Sequence, residues 1–291
     1  MGGSFYSTSK AFNSRVANNV YTKSTDQIFE QNIKRKIHES MDPKNIKIRE
    51  ARDSENHPNS VPIILALDVT GSMLRIPEHL IKDGLPHMMG GIIQKGVPDP
   101  ALLFLAIGDH ECDRCPLQVG QFESGDAELD TWLSRTYLEG GGGGNAGESY
   151  LLAWYFAANH TETDAWDKRK QKGFLFTVGD EPCLNYLPQN VLKELMTEAK
   201  VQGTFDADSL LSAAKERYEV YHLHVTHSSG AQRSLGEWKE RLGDNCIDVP
   251  NYEDVPKIIA DIVCKNDHPI TISKEDPTGG DASPEKTDIL L

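Results

Sequence analysis

The stretch Ile63-Ile64-Leu65-Ala66-Leu67, followed at once by Asp68-Val69-Thr70-Gly71-Ser72-Met73, joins an unbroken apolar run to a polar turn. Five apolar residues without alternation predict a strand buried on both faces, the kind found in parallel sheets covered by helices. The same grammar recurs downstream. Ala101 to Ile107, Leu117 to Phe122, Phe174 to Val178, Val220 to Val225 and Ile247 to Val249 read as further strands. Between them, helical patterns cover Pro77 to about Lys95, Ala127 to Leu138, Glu148 to His160, Val191 to Glu198, Ser209 to Tyr218, Trp238 to Leu242 and Val255 to Cys264. Strands alternating with helices predict a doubly wound, Rossmann-like α/β domain with a mostly parallel central sheet and helices on both faces. The roughly nine residues between Ile107 and Leu117 are too few for a crossover helix, so this pair is expected as an antiparallel hairpin at one edge.

The chain has 291 residues, with 30 Lys and Arg against 44 Asp and Glu, a net charge of −14. That balance argues against nucleic acid, whose phosphates call for a basic face. No run approaches the roughly 18 apolar residues of a membrane helix, so no membrane partner is expected. The start, Met1-Gly2-Gly3-Ser4-Phe5-Tyr6-Ser7, lacks the basic patch and apolar segment of a secretory signal. Five cysteines, Cys112, Cys115, Cys183, Cys246 and Cys264, are too few and scattered for a disulfide framework. A cytoplasmic setting with free thiols is the expectation.

Three regions are expected. Residues 1–58 form an N-terminal extension with one amphipathic helix, begun by a capping box at Ser24-Thr25-Asp26-Gln27 and carrying Ile28, Phe29, Ile33, Ile37 and Met41 on one face. The segment Arg52 to Ser60 reads as a solvated connector, residues 59–266 as the α/β domain, and residues 267–291 as a mobile tail.

Ligands of doubly wound sheets bind where the strands end, at their carboxyl termini. The first strand ends in Asp68, Thr70 and Ser72, and the fourth in Gly179-Asp180-Glu181. Between them lies the run Gly140 to Gly144, then Asn145-Ala146-Gly147-Glu148-Ser149. Such loops offer hard oxygen donors, suited to Mg²⁺, Mn²⁺ or Ca²⁺.

Asp68-x-Thr70-x-Ser72 after a buried first strand, with the short hairpin, the glycine-rich loop and Asp180, resembles the metal-ion-dependent adhesion site of von Willebrand factor A domains. The likeness covers about residues 60–266, and the whole chain is similar to bacterial and phage proteins with such a domain. The resemblance implies Thr70 and Ser72 as direct ligands, with Asp68 and Asp180 acting largely through water, and an open position for a Glu or Asp of a partner protein. The family's third loop usually supplies a threonine, where this chain has Gly144 and Asn145. Asn145, Glu148, Ser149 or water are the alternatives there. A glutamate ligand would offset the ion's charge and weaken its pull on an acidic partner.

Simpler readings compete with each feature. A Ser/Thr/Asp turn after a strand often only caps a helix. Gly142-x-Gly144-x-x-Gly147 matches a dinucleotide fingerprint, but that motif needs a strand just before it and a helix is expected there. Cys112-Asp113-Arg114-Cys115 with His110 and Cys183 has the composition of a Cys₃His zinc site, though one CxxC is weak and no zinc is expected. His222 and His224 alternate along one strand and suit a structural role, with His227 in the loop beyond. No nucleophile elbow, HExxH or P-loop is present. The chain is therefore expected to be a binding module, with a metal-dependent hydrolase (phosphatase or nuclease) or a metal-stiffened scaffold as alternatives.

Overall fold

Each residue from Ile63 to Leu67 is buried in one central strand. The computed structural model describes residues 4–140, 147–196, 203–227 and 229–265. Among them the strands are β1 (Arg49–Ala51), β2 (Val61–Asp68), β3 (Pro100–Ile107), β4 (Leu117–Val119), β5 (Thr161–Thr163), β6 (Gly173–Gly179), β7 (Tyr186–Leu187), β8 (Phe205–Asp206), β9 (Tyr218–Val225) and β10 (Cys246–Val249). A six-stranded sheet runs in the order β10-β9-β6-β2-β3-β4. Its neighbours are parallel, except that β4 lies antiparallel on β3 with Leu105 opposite Val119 and Ile107 opposite Leu117. This is the doubly wound α/β sheet with one antiparallel edge strand that the apolar runs predicted.

From β2 the chain builds outward through β3 and β4, then crosses to β6 and builds the other way through β9 and β10. The winding reverses between β2 and β6, the position at which doubly wound sheets form their ligand crevice, and Asp68 and Asp180 stand there at the strands' carboxyl ends. Successive side chains of the central strands pack on opposite faces. Ile64, Ala66, Leu103 and Leu175 join one core with the helices Leu151–Asn159 and Ala207–Arg217. Ile63, Leu65, Leu67, Phe104 and Phe176 join the other, with the helices Leu85–Gln94 and Val255–Lys265. Each large apolar side chain so buried contributes about 1.5–3 kcal/mol.

The N-terminal region departs from expectation. Ser24 does cap a helix with Gln27 reciprocating, but that helix ends at Ile28. Phe29 leaves helical geometry (φ −101°, ψ 78°) and is fully buried, a second turn covers only Gln31–Lys34, and Ile33 is 71% exposed. The apolar spacing thus belongs to separate anchors. A longer helix, Thr8–Ala17, capped by Ser7, precedes them. Its Arg15 is buried, donating from Nε to Ile81 O at 2.7 Å and from Nη2 to Asp130 at 2.6 Å. Ile81 lies in a π turn, Leu80–Gly84.

Nor is the connector fully solvated. His57 and Ser60 are buried: His57 sits 3.3 Å from Asp99 Oδ1 and 3.0 Å from Ser4 O, and Ser60 donates to Asp53 at 2.8 Å. Polar residues enter the interior here because each finds a partner. β1 pairs in parallel with β5, tying the extension to the domain through a sheet that the sequence did not announce. The expected tail, residues 267–291, lies outside the described residues.

A candidate cation site where the winding reverses

Asp68 closes β2 and is buried. Its Oδ1 accepts from the Thr70 amide at 2.8 Å and from the Thr70 hydroxyl at 2.7 Å, while its Oδ2 accepts from Tyr150 OH at 3.1 Å. The Thr70 hydroxyl also lies 3.2 Å from Glu148 Oε1, so one side chain touches both acids. Burial raises the Asp68 carboxyl well above its usual range, and Asp180 adds to the rise. Glu148 is raised further, by burial and then by the charges of Asp68 and Asp113.

Glu148 reaches the crevice because its backbone is clamped. Its amide donates to Pro182 O at 2.8 Å and its carbonyl accepts from Leu184 at 3.0 Å, beside the Asp180 loop. On the other side Ser149 N donates to Gly108 O at 3.2 Å. The Ser149 hydroxyl accepts from the His110 amide at 2.9 Å and stands 2.7 Å from His110 Nδ1. A serine and histidine so paired suggest a nucleophile and base, but Ser149 is fully buried. Its hydroxyl fastens two loops together. At the other flank of the glycine run, Gly140, with φ +66°, donates to Val69 O at 3.4 Å. A positive φ suits glycine, and it brings this flank against the first loop.

Asp180 is buried, with His227 Nε2 3.8 Å from its Oδ2. The loop it begins is held from beneath. Ser234 donates to Asp180 O at 3.0 Å and the Trp238 indole to Glu181 O at 2.9 Å. His224 Nε2 lies 2.7 Å from Ala231 O, which can only accept, so its Nδ1 receives His222 Nε2–H at 3.0 Å. His222 Nδ1 then accepts from Thr177 at 2.9 Å, and the ring stacks on Trp238 at 3.5 Å. Both imidazoles are neutral in this arrangement, and burial lowers the proton affinity of each. The histidine pair is therefore part of the floor of the site.

Of the residues singled out from sequence, Asp68, Thr70, Glu148 and Asp180 lie on the loops that meet at this crevice. Ser72 lies in the same turn as Thr70, with its side chain outside the described residues, as is the whole of Asn145. The expected helix does precede the glycine run, as Asp126–Ser134, while Gly142 and Gly144 are outside the described residues. Among the described residues no three His, Cys, Asp or Glu side chains form a preformed ligand set. That applies equally to His110, Cys112, Cys115 and Cys183. The Cys183 thiol is buried, donates to Leu184 O and is pushed up to about 12 by burial, whereas Cys112 is exposed.

Two contributors escaped the sequence. Tyr150 returns beneath Asp68 only through the tertiary fold. Asp109, buried two residues beyond β3, obeys the same strand-end rule that selected Asp68 and was legible on that ground. Asp109 Oδ1 accepts from the Glu111 amide at 2.8 Å, and its own amide donates to Asp113 at 2.7 Å. The buried atoms Asp109 Oδ2 and Glu148 Oε2 have no hydrogen-bond partner among the described residues. Hydroxyl and carboxylate oxygens, some orphaned and crowded by like charge, are a donor set that fits a hard divalent cation.

No family model and no curated protein matches the chain. Among solved structures, the pilus adhesin SpaC of Lactobacillus rhamnosus GG in its open conformation aligns with 75% of this chain, at 13% identity and a TM-score of 0.47. This chain spans only 31% of that adhesin. An aerotolerance-related membrane protein from Bacteroides fragilis aligns over 70% of this chain and 99% of its own, at 13% identity and a TM-score of 0.40. Proximal thread matrix protein 1 of the mussel byssus covers 70% of this chain and 48% of its own, at 10% identity and a TM-score of 0.47. Among the described residues no helix is long and apolar enough to cross a membrane.

Proposed function

We propose that this chain is a von Willebrand factor A-like, non-enzymatic binding module of the cytoplasm that captures a Glu or Asp of a partner protein through a divalent cation, Mg²⁺ or Mn²⁺ before Ca²⁺. The observation that carries the reading is the Thr70 hydroxyl touching both Asp68 and Glu148 at the point where the sheet reverses its winding. Thr70 and Ser72 would bind the ion, Asp68 and Asp180 would orient its waters, and Glu148 takes the place of the family's threonine, with Asn145 the other candidate. The ion would supply an electrophilic centre for a carboxylate, in a protein whose charge of −14 otherwise repels acidic partners.

The test is capture of a binding protein on immobilised chain. Binding should vanish in EDTA, return with Mg²⁺ or Mn²⁺, and be absent in Asp180→Ala with the fold retained. Capture unaffected by EDTA would refute the reading, as would divalent-dependent turnover of phosphate esters at the same residues.

A further inference from the structure

Two buried carboxylate oxygens, Asp109 Oδ2 and Glu148 Oε2, are left without hydrogen-bond partners among the described residues, and they sit on loops bonded directly to each other. Gly108 and His110, the two neighbours of Asp109, both bond Ser149, the neighbour of Glu148, at 3.2 and 2.9 Å. Asp109 and Glu148 are respectively 1% and 5% exposed, so bulk water does not serve these oxygens. A buried polar oxygen left without a partner costs about 1–3 kcal/mol, a penalty that persists in a fold only where something offsets it.

Charge makes the same demand. Asp68, Asp113 and Asp109 lie close enough to Glu148, and Asp180 to Asp68, to oppose ionisation there, and if all five ionise around metal, one divalent ion offsets fewer than half of their charges. The remaining charge would hold off an acidic partner.

We propose that the site takes two divalent cations: one at the Thr70 and Ser72 hydroxyls, and a second, assigned by nothing in the motif, held between Asp109 and Glu148. Two carboxylates with the rest of the shell filled by water is an ordinary environment for Mg²⁺ or Mn²⁺. The second ion binds the oxygens the first leaves over, so Glu148 stands between the two, with Oε1 beside Thr70 at the first ion and Oε2 free for the second. This rests on the cation-binding reading above.

The experiment is Mn²⁺ binding to the full chain, followed by native mass spectrometry for stoichiometry and by electron paramagnetic resonance for coupling between neighbouring ions. Wild type should take up two Mn²⁺ with a coupled spectrum. Asp109→Asn and Glu148→Gln, each isosteric, should take up one, with an isolated-ion spectrum. A single uncoupled ion in wild type, or two ions unchanged in Asp109→Asn, overturns the second site and leaves the first intact. No ion at all in wild type overturns the cation reading itself.

Discussion

At the scale of residues, the site is a conflict between burial and charge. Asp68 and Glu148 are both raised by burial and by neighbouring acids, so in the metal-free protein they resist ionisation. A group whose pKa is higher folded than unfolded contributes stability that is fully present below the unfolded value and is lost as pH rises through the folded one. The unfolded value for a glutamate is about 4.3. In EDTA, therefore, wild type should lose stability from the mildly acidic range upward, relative to Glu148→Gln, which cannot ionise. By pH 8 the variant should be the more stable by about 2 kcal/mol, the scale of an uncompensated buried polar group. Urea unfolding at pH 5 and pH 8 measures it; a difference that does not grow with pH would mean that Glu148 is not held in a hostile environment. Asp68, Thr70 and Asp180 were legible because strand ends are legible. Tyr150 was not, since no local pattern says that a tyrosine after Glu148-Ser149 will pass beneath Asp68 and donate to it.

Among the elements, the strands of the central sheet declared themselves, even the short β4 and β10, while the short strands outside it did not. β2, β3, β6 and β9 are runs of seven or eight residues whose burial is continuous or nearly so, and composition alone marks such runs. β1 and β5 are three residues each and carry no apolar run to mark them, yet their pairing fastens the extension to the domain. The N-terminal helix fails in another way. Ser24 and Gln27 form the expected capping box, but a cap fixes where a helix begins and not how far it runs, and Phe29 gains more by entering the core. The anchor that the sequence concealed is Arg15, a buried guanidinium bonded to Ile81 O and Asp130. Arg15→Ala leaves Asp130 without its cation and should cost about 3 kcal/mol, the lower end for a broken buried pair because Asp130 is 25% exposed. Hydrogen exchange should rise first across Thr8–Ala17. Uniform exchange across the whole domain would instead make that helix part of the same cooperative unit.

For the whole molecule, topology creates the site. A sheet that builds outward in both directions from its middle has its switch point beside β2 and β6, and Asp68, Thr70, Glu148 and Asp180 stand near it on segments fixed by the strand or helix beside them. The two cores pack both faces of the strands, and the loops bring Asp180 near Asp68, and Asp68 and Asp113 near Glu148, close enough to raise these carboxyls in a protein whose charge is already −14. On the function proposed above, a divalent cation supplies the compensating charge at Asp68. Isothermal calorimetry with Mn²⁺ on wild type and Asp68→Asn, both shown folded by circular dichroism, tests it most directly. A saturable heat in wild type and a loss of affinity of at least tenfold in the variant are expected; equal affinity in the two proteins would rule out a cation at Asp68.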